Sequence, residues 1–410
     1  MEIIVHKGTD EIGGTCIQLS TESTTILLDI GKPLNDESKP IDYSVLEPDA
    51  ILLSHPHQDH YGMIKEIDPK IPIYIGIVGK ELINATAMFL GREFFDNNFQ
   101  PITRDKPFSI GDLKITPYLV DHSAVDAFAF LIESEDKRIF YSGDFRAHGR
   151  KSVLFKRILE DPPKDIDLVL MEGTMIERKN EEFPDEQSVE NKLDEILKAQ
   201  KNISFIISSS QNIDRIVSIY RSCLKNDKIL IIDFYTAWVL EQLKLVSDNV
   251  PNMEWDNIKV YADYNQDQKL KDNLSKTGDF RKRAYKHRIK KEEIQADPSK
   301  HVYFSKMSKF KIIDLYKSEN NPVNVIYSQW LGYLEQDGYG SKQISAYKDD
   351  KAVNFYYAHT SGHATIEDLK KFAESLKPNM IIPIHTEFKN DFETHFNNMK
   401  VLDDNELLKI

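Results

Sequence analysis

The stretch LLSHPHQDHYG, residues 52–62, places His55, His57, Asp59 and His60 directly after a short apolar run. A run of that kind reads as a strand that delivers polar side chains to a sheet edge. On a tight loop between strand and helix, this spacing lets two of the four residues point one way and two the other. One segment can then feed two neighbouring cations. Neutral imidazole and carboxylate form a donor set suited to zinc, with manganese as the alternative. The two cysteines, Cys16 and Cys223, lack CxxC spacing, so thiolate metal sites and a disulfide framework are not expected.

The same habit recurs along the chain. Apolar runs end in Asp29 (ILLD), His122 (PYLVDH), Asp144 (FYSGD), Glu172 (LVLME) and His385 (IIPIH). Strand ends that all present ligating residues point to one shared site at one edge of the sheets. Four ligands from one loop cannot complete two metal shells, so His122, Asp144 and His385 are expected to supply the rest, with Asp144 suited to bridge. Two cations about 3.5 to 4 Å apart would generate hydroxide near neutral pH and stabilise charge on a phosphoryl or carbonyl oxygen. That makes the expected chemistry hydrolytic. No GxGxxG or Walker sequence suggests a nucleotide cofactor.

With 410 residues the chain has room for two domains or one domain with a large insertion. From position 3 to about 175, short β-branched runs alternate with turns. Between about 185 and 350, amphipathic stretches such as SVENKLDEILKAQK alternate with apolar runs such as KILIIDF, the rhythm of parallel βα units. The first texture returns near 352 as AVNFYYAHTSGH and PNMIIPIHTE. This order predicts one domain over 1–180 plus 352–410, interrupted by an inserted α/β domain over 181–351. No run of about 18 apolar residues is present, and the N-terminus lacks the layout of a signal peptide, so a cytoplasmic protein without a membrane partner is expected. A net charge of -13 excludes a surface that is basic throughout. Locally, RKRAYKHRIKK at 281–291 is dense in cations and reads either as a solvated helix face or exposed loop or as a strip that contacts RNA phosphates.

HPHQDH, preceded by LLDIG and followed by VDHS and YSGDF, resembles the motif set of the metallo-β-lactamase superfamily. That resemblance implies an αββα sandwich, an α/β fold with a binuclear metal site at one edge. It implies His55, His57 and His122 on one metal, Asp59, His60 and His385 on the other, Asp144 between them, and Asp29 behind the ligands. The long interval between Asp144 and His385 is similar to the β-CASP nucleases, which carry an inserted α/β domain before the final ligand. Their further motifs have counterparts in Glu172 of LVLMEGT, His363 of AHTSGHA and His385 of PIHTE. By itself Glu172 could cap a turn, and His359 and His363 could be hydrogen-bonded loop residues. By resemblance, His363 protonates the leaving group and Glu172 holds it.

HTSGH, residues 359–363, resembles the phosphate-holding segment of the ribonuclease J type, which implies substrate contacts from His359, Thr360, Ser361, Gly362 and His363. ISFIISSSQNIDRI resembles a second phosphate contact, at Ser209, Ser210, Gln211 and Asn212 ahead of a helix. Histidine at 385, where relatives acting on DNA tend to have an aliphatic residue, favours RNA. The sequence runs 25 residues past His385, so a counterpart of the separate C-terminal domain of that type is not expected, which leaves the mode of oligomerisation open. The resulting expectation is a ribonuclease with two zinc ions, cutting internally or from the 5′ end. In it Asp59, His363 and Glu172 serve catalysis, RNA is the partner and a homodimer stays open. The rivals are a DNA nuclease of the same fold, a thioester or lactone hydrolase, and a non-catalytic RNA-binding subunit.

Overall fold

Alternation of apolar and polar residues decides the first strands. The computed structural model describes every residue except 35–37, 39, 179–181, 337 and 339. In Glu2–Lys7 (β1), Ile3 and Val5 face the core, and the strand pairs antiparallel with Cys16–Ser20 (β2). Thr25–Leu28 (β3) follows antiparallel to β2, and Ala50–Leu52 (β4), Pro72–Gly76 (β5) and Asn98–Ile102 (β6) extend the sheet in parallel. A second sheet holds the antiparallel strands Phe108–Ile110 (β7), Leu113–Leu119 (β8), Phe128–Glu133 (β9) and Arg138–Tyr141 (β10), with Leu168–Glu172 (β11) parallel to β10. Two late strands complete both sheets: Met380–Ile384 runs parallel to β11, and Leu407–Lys409 antiparallel to β1.

The inner faces of these sheets share one core, in which Ile3, Ile17 and Leu28 meet Phe130, Ile132 and Leu170. Helices cover both outer faces. Ile83 of helix Ile77–Leu90 joins Leu27, Ile51 and Ile73 on the first sheet, and helices Val153–Glu160 and Ile366–Leu376 cover Phe140, Val169 and Met171 on the second. The result is the expected αββα layering. Helix Ile366–Leu376 shows how local sequence sets such an element. Thr365 caps it by accepting from the Asp368 amide, Glu367 and Asp368 sit in its first turn, and Leu369, Phe372, Ala373 and Leu376 recur at helical spacing toward the sheet.

A third sheet is all parallel. Its strands are Ser204–Ile207 (β12), Ile229–Asp233 (β13), Ile258–Tyr261 (β14), Arg288–Ile289 (β15), His301–Ser305 (β16), Val323–Tyr327 (β17) and Val353–Tyr357 (β18), in the order β15-β14-β13-β16-β12-β17-β18. Buried on both faces, its central strands read as near-continuous apolar runs. The chain divides into one unit of Met1–Asn84, Phe94–Asn180 and Gly362–Ile410 and another of Ala85–Glu93 and Glu181–Ser361.

These units differ from the sequence-based boundaries in two places. Residues 352–361 belong to the second unit, because β18 pairs with β17 along its whole length. The end of helix Ile77–Leu90 also belongs there: Thr86 lies 2.8 Å from Gln211 Nε2, and Phe89 stacks edge-on with Tyr235. Among the described residues, no helix is long and apolar enough to cross a membrane.

The second unit also buries an ion pair that no local pattern announces. Arg215, fully buried in helix Ile213–Lys225, donates to Glu186 through both Nε and Nη2, at 3.2 and 2.9 Å, and to the Ser328 hydroxyl and the carbonyls of Ser328 and Ala358. Removing one partner of such a pair leaves a buried charge uncompensated, at a cost of about 3–5 kcal/mol. Arg215→Ala should therefore lower the denaturant midpoint of the second unit, and Glu186→Gln combined with Arg215→Met should recover a large part of the loss. Equal midpoints for wild type and Arg215→Ala would contradict this.

Candidate metal centre

The centre lies wholly in the first unit and is assembled from strand ends. Asp29 follows β3, and Ser54 and His55 follow β4. His122 comes three residues after β8, Asp144 three after β10, Glu172 closes β11, and His385 follows Met380–Ile384. His57 caps the single helical turn Gln58–Tyr61 in extended conformation, and its carbonyl accepts from the amides of His60 and Tyr61. The turn sits directly on the LLDIG segment: a Cβ at Gly31 would stand 1.7 Å from the Asp59 carbonyl oxygen. Asp29 and His385 adopt left-handed backbone conformations, φ 59° and 51°, which cost non-glycine residues energy.

Two groups of ligating atoms meet at one carboxylate. His55 Nε2 and His122 Nε2 lie 3.0 and 3.3 Å from His57 Nδ1, forming a three-nitrogen cluster. Asp59, His60 and His385 form a second cluster, with Asp59 Oδ2 3.9 Å from Nε2 of each histidine. Asp144 Oδ2 stands 3.8 Å from His55 Nε2, 3.1 Å from His60 Nε2 and 3.6 Å from His385 Nε2. Nε2 of His60 and of His385 is buried and makes no aligned hydrogen bond among the described residues. Buried nitrogens left so are costly unless something binds them. The donor set of imidazole and carboxylate fits a divalent cation, and zinc in particular.

The outward sides of His60, His122 and His385 are held. Asp29 Oδ2 accepts from His60 Nδ1 at 2.7 Å, from the Ser54 hydroxyl at 2.7 Å and from the Tyr141 hydroxyl at 2.5 Å, while its Oδ1 accepts from the Ser54 amide at 2.7 Å. His122 Nδ1 donates to the Gly362 carbonyl at 2.7 Å, and the Thr15 hydroxyl lies 2.8 Å from His385 Nδ1. These partners select the ring nitrogen that faces inward. Ser54, Tyr141 and Thr15 escaped the sequence reading. Ser54 stands inside the opening cassette and Tyr141 inside FYSGD, but a hydroxyl behind a ligand leaves no spacing pattern to detect.

Electrostatics separate the histidines by environment. Burial pushes His55 and His122 well below the ordinary histidine range and lowers His57 and His385, favouring the neutral imidazole that binds metal. Burial also opposes protonation of His60, but Asp144, Asp29 and Asp59 outweigh it and raise that group well above the ordinary range. For Asp144 burial favours the neutral acid, yet His385, His60 and His363 hold its carboxyl well below the usual value. His363 is raised: burial works against its proton, and Glu172 and Asp144 prevail.

Glu172 is fully buried and accepts two backbone hydrogen bonds. Its Oε2 accepts from the Thr174 amide at 3.0 Å, and its Oε1 accepts from the Ala364 amide at 3.1 Å, fixing the chain beside His363. His363 Nδ1 stands 3.5 Å from Glu172 Oε2 and 3.7 Å from Asp144 Oδ2, and Asp144, His363 and His385 form a further group of metal-ligating atoms.

The remaining candidates divide between the units. Gly362 and His363 belong with the metal cluster, whereas His359, Thr360 and Ser361 belong to the second unit, as do Ser209, Ser210, Gln211 and Asn212. Both of these segments leave carboxyl ends of the parallel sheet, after β18 and β12. Arg215 Nη1 lies 3.4 Å from His359 Nδ1, and Thr360 is buried. Ser209 is exposed, while Ser210 pairs with Thr236, Gln211 with Thr86 and Tyr235, and Asn212 caps helix Ile213–Lys225. The basic strip is partly spent within the fold: Arg281 binds Asp267 through Nε and Nη2, and Arg283 binds Glu241, Glu254 and Asp279. Those two cations are neutralised by neighbours of which Glu241 and Glu254 lie far from Arg283 in sequence.

Comparison with known proteins agrees with this geometry. Residues 25–204 match the Beta-lactamase superfamily domain, and residues 351–401 match the Zn-dependent metallo-hydrolase RNA specificity domain. Ribonuclease J of Helicobacter pylori is 23% identical over 408 residues, covering 93% of this chain and 55% of that protein. Ribonuclease J of Mycoplasma genitalium is 24% identical over 362 residues, covering 83% and 58%. The chain thus spans a little over half the length of these curated relatives. A crystal structure of a protein of unknown function from Enterococcus faecalis V583 shares the fold, with a TM-score of 0.77 at 20% identity over 99% of both chains. The clusters and the zinc-dependent family description together identify a metal centre.

If Asp29 orients His60 for metal, Asp29→Ala should weaken zinc affinity roughly 10- to 100-fold, measured by competition with a chromogenic chelator. Tyr141→Phe, which removes one of several donors to Asp29, should have a smaller effect. Unchanged zinc affinity in Asp29→Ala would remove Asp29 from this role.

Proposed function

We propose that this chain, matched by the Beta-lactamase superfamily and RNA specificity domain models and similar to ribonuclease J over most of its length, is a β-CASP member of the metallo-β-lactamase superfamily that hydrolyses RNA phosphodiester bonds with two zinc ions. The observation that carries the reading is the meeting of two ligand clusters at Asp144 with the buried Glu172–His363 pair beside them. His55, His57 and His122 would hold one cation and Asp59, His60 and His385 the other, with the Asp144 carboxylate within reach of both groups. Bound there, divalent cations supply Lewis acidity toward a phosphoryl oxygen and lower the pKa of water so that a nucleophile is available near neutral pH.

The chain's own residues do the rest. Asp29, Ser54 and Thr15 keep the ligating nitrogens oriented, so that little reorganisation is needed during reaction. Attack of water on phosphorus breaks one ester P–O bond, and the departing alkoxide needs a proton. That role is assigned to His363, whose Nδ1 stands 3.5 Å from the buried Glu172 carboxylate, a partner that favours the protonated imidazole against the opposing effect of burial. Ser209, three residues ahead of the Asn212 cap of helix Ile213–Lys225, and the segment His359–Ser361 are assigned to hold substrate phosphates through hydroxyls and backbone amides. RNA is favoured as substrate by the RNA specificity domain matched at 351–401 and by the relatives named ribonuclease J.

Asp59→Ala and His60→Ala should each abolish cleavage of end-labelled RNA while leaving the thermal unfolding transition cooperative, and chelation should do the same reversibly. Full activity in either purified variant would end the two-cation mechanism. Glu172→Gln provides the pH test. Loss of the negative charge lowers the pKa of His363, so the high-pH decline of the cleavage rate should begin at lower pH than in wild type. A basic limb that stays in place would show that His363 is not the acid.

A further inference from the structure

Three of the large apolar side chains exposed by the described residues fall within four positions: Trp330 at 40%, Leu331 at 38% and Tyr333 at 38%. They occupy the segment that leaves the carboxyl end of β17. In open parallel sheets that edge is where ligands bind. Here it also carries Ser209 after β12 and His359–Ser361 after β18, on the strands that flank β17.

The aromatic pair is held in a defined geometry. Trp330 and Tyr333 meet edge to face, with ring centroids 5.4 Å apart and planes at 86°. The Tyr327 hydroxyl donates to the Trp330 carbonyl at 3.1 Å and anchors the turn. Trp330 folds back over Gly332, where a Cβ would come within 2.3 Å of the indole ring, so the glycine lets the ring lie close to the backbone. Two residues before Trp330, the Ser328 carbonyl accepts from Arg215 Nη1, which also donates to the Ala358 carbonyl directly before His359. One buried guanidinium therefore ties the aromatic segment to a segment proposed to hold phosphate.

From this juxtaposition we infer that Trp330 and Tyr333 form a stacking platform for bases of single-stranded RNA. The inference rests on the reading of the chain as an RNA hydrolase and adds where the bases are gripped. Amphipathic rings set beside phosphate-holding backbone are the pairing that single-strand binders use, because every base offers a π-face whatever its identity. The platform should therefore confer affinity for unpaired RNA with little sequence preference. A duplex, whose bases are already stacked, should gain little from it.

The test uses the zinc-loaded full chain and a fluorescein-labelled single-stranded oligoribonucleotide with a cleavage-resistant backbone, with affinity read by anisotropy at several salt concentrations. Trp330→Ala combined with Tyr333→Ala should weaken binding roughly tenfold to hundredfold. The slope of log Kd against log salt should stay as in wild type, because stacking releases no counterions. Trp330→Phe, which keeps a ring, should retain affinity within about threefold, and in wild type the oligonucleotide should quench tryptophan fluorescence by a component absent from Trp330→Phe. Thermal unfolding of each variant shows whether the fold is kept.

Wild-type affinity in a folded double-alanine variant would overturn the platform, as would a variant that changes sedimentation behaviour without changing RNA affinity, since the patch would then join copies of the chain. Hydrolysis of bis(p-nitrophenyl) phosphate by the wild type separates the two layers. If wild type neither hydrolyses that diester nor binds RNA, the hydrolase reading fails and the platform with it. If wild type does both and the alanine variant binds RNA equally well, only the platform falls.

Discussion

Asp144 is the group around which the first unit is organised. A single buried carboxylate oxygen faces nitrogens of His55, His60, His363 and His385 at 3.1 to 3.8 Å. A buried carboxylate is costly without partners, and buried imidazoles are costly if several of them must carry protons together. Each side answers the other's cost. The histidines favour the ionised form of Asp144, and the carboxylates offset the burial cost of charge on His60 and His363. The arrangement is tolerable because the two sheets bring strands of different sequence position to one edge. It also explains why so many polar residues sit at the ends of apolar strands.

Behind this cluster lies a second layer that fixes it. Asp29 gathers Ser54, Tyr141 and His60, Thr15 meets His385, and Glu172 holds the backbone after His363. The backbone follows the same demand. Asp29 and His385 take left-handed conformations, and Gly31 allows the turn Gln58–Tyr61 to rest on the neighbouring chain. Such strain persists where the surrounding hydrogen bonds over-determine it. In the second unit Arg215 has a comparable part, joining Glu186, Ser328 and Ala358 so that the loops leaving β17 and β18 keep a fixed relation.

How much of this could be read from sequence depends on whether the signal is local. The cassette at 55–60 and the strand-end residues Asp29, His122, Asp144, Glu172 and His385 stand out because each apolar run ends in a group that a strand would otherwise avoid. The β-branched runs similarly announce their strands. Where pairing or charge partners come from afar, the reading slips. AVNFYYAHTSGH resembles the strands of the first unit, yet β18 joins the parallel sheet because β17 offers it an edge. Arg281 and Arg283 look like free cations until Asp267, Glu241 and Glu254 are seen against them.

By itself, then, the sequence determined the class of fold, the donor chemistry of the centre and the strands that deliver it, because periodicity and residue type are properties of short segments. Only the tertiary structure decided which atoms face one another. The convergence on Asp144, the choice of ring nitrogen through Asp29, Thr15 and Gly362, and the Arg215 tie between two loops join residues tens to hundreds of positions apart. Contacts of that range arise from sheet order and burial, which no local pattern encodes. The opening histidines name the chemistry; the folded strands give it a geometry.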